Sequence, residues 1–277
     1  MHCPEQPQSA ESGFTLIELM IGLTIGMLVA LVALGSFLFV LQGSTTVSEG
    51  YRLAATGNTA LRRIADIVRQ AGAAELVQPG GTFAPVSFGD FTRRAVGGTQ
   101  LVSGTEGAAN APDTLTVSFE HRGDNITRDC LGNAPGAAQQ RVDNFFSVSG
   151  VELRCLGRLG DAAATIIGGV PAVGLPLVGD NSAAATQIAV EDFQVWYWLA
   201  DTANARNTRR YSAWATPQSA PPGGWAAVQA VEICLQLRGT STNNPAGNFT
   251  NCQGNAVANN GQLHQVFRGV YALRNRI

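Results

Sequence analysis

From Phe14 to Leu41 the chain runs through Leu, Ile, Val, Phe, Met, Ala and Gly, interrupted by two threonines, a serine and a single charge, Glu18. At ~1.5 Å of rise per residue, such a run exceeds the ~20 helical residues that cross a bilayer. No soluble core easily absorbs it, so the stretch predicts a membrane helix and makes the rest of the chain an appendage to it. Glu18 is then the anomaly: a carboxylate in a membrane segment costs on the order of 2.5 kcal/mol or more, which calls for a partner or a task. It stands one turn beyond Phe14, on the face shared by residues i and i+4.

The remaining sequence sets limits. A chain of 277 residues leaves room after the anchor for one large domain. Only 14% of residues are charged, and every basic one is Arg; there is no Lys. The net charge is −2, and loss of residues 1–13 would remove Glu5 and Glu11 and bring the side chains to formal neutrality. Nothing in this charge pattern marks a nucleic-acid footprint.

The stretch Ser12-Gly13-Phe14-Thr15-Leu16-Ile17-Glu18-Leu19 carries more than hydrophobicity. A small residue, then Phe-Thr-Leu-Ile-Glu, then a long apolar helix resembles the class III signal of type IV prepilins and pseudopilins. A secretory signal would instead place a small-x-small cleavage site after a shorter apolar core. The resemblance implies cleavage after Gly13 by a membrane prepilin peptidase and N-methylation of the new terminus, Phe14. It also implies a helix held in the inner membrane until assembly, and Glu18 neutralising the terminal amine of a neighbouring subunit. That pairing would explain why a buried carboxylate is tolerated. The leader, residues 1–13, departs from the family habit in carrying no Arg or Lys.

Further along, Gly22 and Gly26 make a GxxxG spacing suited to close helix contact. After a polar patch, Leu61, Ile64, Val68 and Ala71 fall at helical spacing with Arg62, Arg63, Asp66 and Arg69 on other faces, and Gly72 is a stop signal. The expected partition is a leader at 1–13, a transmembrane or filament-core helix at 14–41, an amphipathic continuation at 42–72 and a periplasmic β-rich head at 73–277. Within the head, alternation predicts strands at 115–119, 144–148, 151–156, 190–199 and 231–237, with a C-terminal strand bearing Leu263, Phe267, Tyr271 and Leu273. Residues 78–110, 122–143, 157–186 and 201–224 read as loops, and 239–261 as an Asn/Gly-rich excursion. The fold class is therefore α+β, pilin-like: a long N-terminal helix packed on a largely antiparallel sheet with long loops.

Of five cysteines, Cys3 lies in the leader. Cys130, Cys155, Cys234 and Cys252 remain, an even number that fits two disulfides in an oxidising periplasm. Sequence neighbours are the simplest pairing, each closing a loop at roughly 3 kcal/mol. Zinc is disfavoured by the absence of CxxC spacing and the isolation of His121 and His264. No nucleophile elbow, P-loop lysine or full calcium-loop spacing occurs, so the chain carries no enzymatic signature and implies no cofactor or metal. Trp196 and Trp198 share a strand face. Internal packing is expected of them, with an interaction surface as the alternative.

Subtype rests on the head. Ile67-Val68-Arg69-Gln70-Ala71-Gly72, the Cys130-Leu-Gly-Asn segment, Val190-Glu-Asp-Phe-Gln-Val-Trp-Tyr and the Trp225…Val228…Val231 region resemble PilW-type minor pilins. This implies a subunit that primes pilus assembly near the tip, with other minor and major pilins, the prepilin peptidase and an inner-membrane assembly platform as partners. It would start as a single-pass inner-membrane protein with a periplasmic head and end at the cell surface. A J-type pseudopilin of a type II secretion system shares the anchor, and an adhesive or DNA-capturing tip subunit is a further alternative.

Overall fold

In a computed structural model, the described residues are 13–73, 76–77, 84–85, 101–108, 111–121, 126–136, 140–159, 166–179, 188–200, 208–211, 227–242, 244 and 246–274. Residues 1–12, most of 78–100, 201–207 and Trp225 lie outside them.

Helix α1 runs from Leu16 to Gln70 without a break. The polar patch after Leu41 does not interrupt it, because no proline intervenes and its backbone bonds are internal. The chain divides into two compact units, Met1–Val47 and Ser48–Ile277. In the first, the large apolar side chains are exposed, and its most apolar window has a mean hydropathy of 2.5. By length and composition this is a helix able to cross a membrane.

In the second unit, the helix buries Leu61, Ile64, Val68 and Ala71, the stripe expected from spacing, and Leu53 and Ala60 besides. Arg62, Arg63 and Asp66 face solvent. Gly72 ends the helix with φ +71, a left-handed conformation that glycine adopts at little cost. Its N–H donates to the Ser118 carbonyl at 2.9 Å, and Glu120 N–H donates to the Ala73 carbonyl at 2.8 Å. The helix exit is thus stitched to a strand.

The strands are β1 (Leu76–Val77), β2 (Ala84–Pro85), β3 (Val102–Thr105), β4 (Thr114–His121), β5 (Gln140–Ser149), β6 (Glu152–Leu159), β7 (Leu175–Val178), β8 (Ala189–Ala200), β9 (Thr208–Tyr211), β10 (Val228–Arg238), β11 (Asn248–Thr250), β12 (Ala256–Ala258) and β13 (His264–Ala272). One sheet is an antiparallel meander, β3-β4-β5-β6-β7; the other is ordered β13-β10-β8-β9. Two short ribbons, β1-β2 and β11-β12, complete the set. One core joins α1 to both sheets: Leu115, Val117 and Phe119, then Phe193, Val195, Ile233 and Leu235 sit in the cluster that holds Ile64 and Val68.

Several loop readings need correction: 78–110 holds β2 and β3, and 239–261 holds the β11-β12 ribbon. The stretch 157–186, read as loop from its Ala, Gly and Pro, holds the end of β6, a 3-10 turn at Ile167–Gly169 and β7. The turn-rich 122–143 yields its last residues to β5, which starts at Gln140. Within 201–224, Thr208–Tyr211 pairs with β8. β7 and β9 are edge strands, short segments recruited by a neighbour although their own composition gives no strand signal, whereas β5 and β6 simply run further along the partners that flank them.

Asp113 joins the two sheets. Its N–H donates to Phe193 O at 2.7 Å, and its carboxylate accepts Gly107 N–H and Val195 N–H, both at 2.8 Å. Burial pushes its pKa up to about 6 against the pull of those bonds, with Glu106 and Asp192 adding repulsion.

Candidate processing and assembly site

Phe14 is 87% exposed and lies two residues before the helix, with Thr15 between. Thr15 takes the N-cap position and Glu18 the third helical residue. Thr15 N–H donates to Glu18 Oε2 at 3.1 Å, its hydroxyl donates to the same oxygen at 2.9 Å, and Glu18 N–H returns to Thr15 Oγ1 at 3.3 Å. This is a capping box, in which two helix-end donors are satisfied reciprocally. The Thr-x-x-Glu spacing carried that signal in the sequence, yet reading Glu18 only as an anomaly in an apolar run overlooked it. Chemically the site offers a carboxylate at a helix start, one turn from the amine that cleavage after Gly13 would create. A Cβ on Gly22, Gly26 or Gly35 would meet nothing within 4 Å, so these glycines leave a smooth helix surface.

The cysteines lie far along the chain from this end. Cys130 pairs with Cys155 (Cα–Cα 6.3 Å) and Cys234 with Cys252 (5.8 Å). The first bond is part of the main core. The second lies on the opposite face of the β13-β10-β8-β9 sheet, clustered with Trp196 and Val266. Arg268 stacks over the Trp196 ring at 5.0 Å while donating to Cys252 O at 2.8 Å. Trp198 is half-buried and donates its indole N–H to Glu232 at 3.1 Å. Trp196 is therefore packed under Arg268 and Trp198 is tied to Glu232, in line with the internal packing expected of them.

Glu49 went unremarked in the sequence. It is a helix carboxylate 8% exposed, accepting Thr240 N–H at 2.5 Å and Ser241 N–H at 2.7 Å, with Asn244 Nδ2 at 3.4 Å. It clamps the 240–244 loop onto the helix. Its partners lie about 190 residues away in sequence, so no local pattern could announce it. His121 is buried against Gly136 O, and His264 pairs with Glu191 at 2.7 Å. The two histidines are held by different groups.

Residues 8–34 match the family model of the prokaryotic N-terminal methylation motif. No curated protein sequence matches the chain. Among solved structures, a type IV-like pilin from Thermus thermophilus is similar, with a TM-score of 0.51 and 15% identity over 82% of this chain and 99% of that one. At that identity the likeness is one of fold. The chain has a pilin-like α+β fold and carries the methylation motif at its start.

Proposed function

We propose that this chain is a minor pilin of a type IV pilus, cut after Gly13, methylated at Phe14, and used to prime assembly at or near the tip. The observation that carries the reading is the methylation motif opening a helix of 55 residues whose later part is built into a β-sheet head. Such a chain sits in the inner membrane by its apolar segment, with its head in the periplasm where two disulfides are stable. Its partners are other pilins, the prepilin peptidase and the assembly platform. The size of the head supports a rare subunit over the repeated one, since a thin filament has little room for it at every position. Glu18 supplies the charge for a neighbour's terminal amine, a pairing far less costly in an apolar core than either charge alone.

The test is intact mass of protein from membranes of cells with and without prepilin peptidase. Peptidase-dependent loss of residues 1–13 with one added methyl group supports the reading, and an uncut chain sinks it. Loss of pili with intact protein secretion on deletion supports the pilus over a pseudopilin role; the reverse assigns the chain to a secretion system. Glu18→Ala should still be cleaved yet enter filaments at least tenfold less well, measured by shear fractions; normal entry would remove Glu18 from the mechanism.

A further inference from the structure

The outer face of the β13-β10-β8-β9 sheet, opposite the main core, holds a polar cavity that the pilin reading does not use. Between Gln236 and Leu237 the register against β8 shifts: Gln236 faces Asp192 and Leu237 faces Val190, so Glu191 is an extra residue. A β-bulge re-aims a side chain that strict alternation would send to the other face. Here it brings the consecutive carboxylates of Glu191 and Asp192 to one cavity of about 230 Å³, with Gln236 on the sheet and Asn251, Gln253 and Asn255 from the loop above. All six carry a carboxylate or a carboxamide.

The hydrogen bonds decide which atoms remain to meet a ligand. Gln236 Nε2 donates to Glu191 Oε2 at 2.8 Å, which leaves Gln236 Oε1 as the amide's other end. Among the described residues that oxygen has no hydrogen-bond partner, although Gln236 is only 7% exposed. A buried amide oxygen left this way costs free energy unless something meets it. Asp192 takes amide N–H bonds from Gln194 at 2.9 Å and Gln253 at 2.6 Å, so Gln253 also has its nitrogen committed. Glu191 is balanced by Arg238 at 3.0 Å and by His264. Among the described residues Asp192 receives neutral amides and no cation. Burial raises its pKa, and the neighbouring Glu191 charge adds to this. The cavity therefore presents oxygens and an unbalanced negative charge.

We propose that this cavity binds a calcium ion. Carboxylate and amide oxygens suit a hard cation, and calcium accepts six to eight oxygens in flexible geometry, with water filling the remainder. The cavity has room for the ion and those waters. Thiolates and paired imidazoles, which a transition metal would favour, do not line it. Among the described residues no group of three or more His, Cys, Asp or Glu is placed to hold a metal, so the amide oxygens must complete the shell. The Cys234–Cys252 bond fixes the loop that supplies half of it.

The experiment uses the full chain in detergent with both disulfides oxidised, stripped with EDTA and titrated with calcium chloride. Terbium luminescence excited through tryptophan serves as a second probe. Calcium should raise the melting temperature saturably, by about 5 °C at roughly a hundred times its dissociation constant, and should displace terbium. Asp192→Asn should weaken calcium at least tenfold. Asn255→Ala lies on the exposed rim, so it should melt like the native protein in EDTA yet bind more weakly, and it stands in should the first variant fail to fold. The proposal is overturned if the native protein shows no saturable shift, if magnesium gives an equal one, or if calcium affinity is unchanged in whichever variants fold.

Discussion

The two parts of α1 obey the same backbone rules in different solvents. Up to Val47, Leu16, Leu28 and Phe39 stand 76%, 64% and 78% exposed, with no polar face to offset them. From Ser48, exposure passes to Arg62, Arg63 and Asp66 while Leu53, Ile64 and Val68 drop to 0%. Identical apolar residues are thus left exposed in one part, as a membrane-crossing helix would have them, and enclosed in a private core in the other. What separates the parts is the pattern of polar residues around the helix, since hydrophobic content is high in both.

The sharpest way to break this contrast is a matched pair of charges. Ile64→Asp should cost the head about 4 kcal/mol or more, because an unpaired carboxylate enters a closed core, whereas Leu28→Asp should leave head melting unchanged and impair membrane retention. Calorimetry and fractionation read the two effects; equal melting of both variants would erase the distinction. Cys234→Ser comes next, at about 3 kcal/mol under oxidising conditions, with α1 before Ser48 unaffected. The head alone should also respond to pH. Asp113 has a folded pKa of about 6 against the usual 3.8, so its contribution is full below 3.8 and is lost as pH rises through 6. Between pH 4 and 7 that amounts to on the order of 2 kcal/mol, and Asp113→Asn should flatten the melting profile across this window. An unchanged slope in the variant would move the effect to another group. The smallest effect compares glycines. A Cβ on Gly57 would fall 2.3 Å from the Phe267 ring, so Gly57→Ala should cost about 1 kcal/mol after its helix-propensity gain. Gly22→Ala should cost the isolated chain nothing, and a filament defect in that variant would show that Gly22 is a contact point between subunits.

The head part of the helix, its stop at Gly72 and the cores of three strands, read at 115–119, 190–199 and 231–237, were legible because each segment carries a 3.6 or 2.0 period or a stop signal. The turn between the strands read at 144–148 and 151–156 carries Gly150, whose φ of +63 suits a hairpin residue there. Strand β7 was not, since Leu175-Pro176-Leu177-Val178 becomes a strand only when β6 offers it an edge. The bulge at Glu191 was invisible for a related reason: it is a property of the β8–β10 pairing, and a single strand's alternation reads straight through it. The Glu49 clamp and the Asp113 joint share that character. Both are acids whose meaning lies in backbone N–H groups brought from elsewhere by the fold.

The Thr15–Glu18 box changes what a subunit is while it waits. A carboxylate with no donors would be a standing liability in lipid, pressing the helix to seek relief wherever a cation or water could be found. Held by Thr15 N–H and Oγ1, Glu18 is quiet, like a hook closed on its own eye. On the assembly role proposed for Glu18, joining a filament would be an exchange of partners, in which the Thr15 donors are released as a neighbour's amine arrives, and only the difference between the two sets would drive the step.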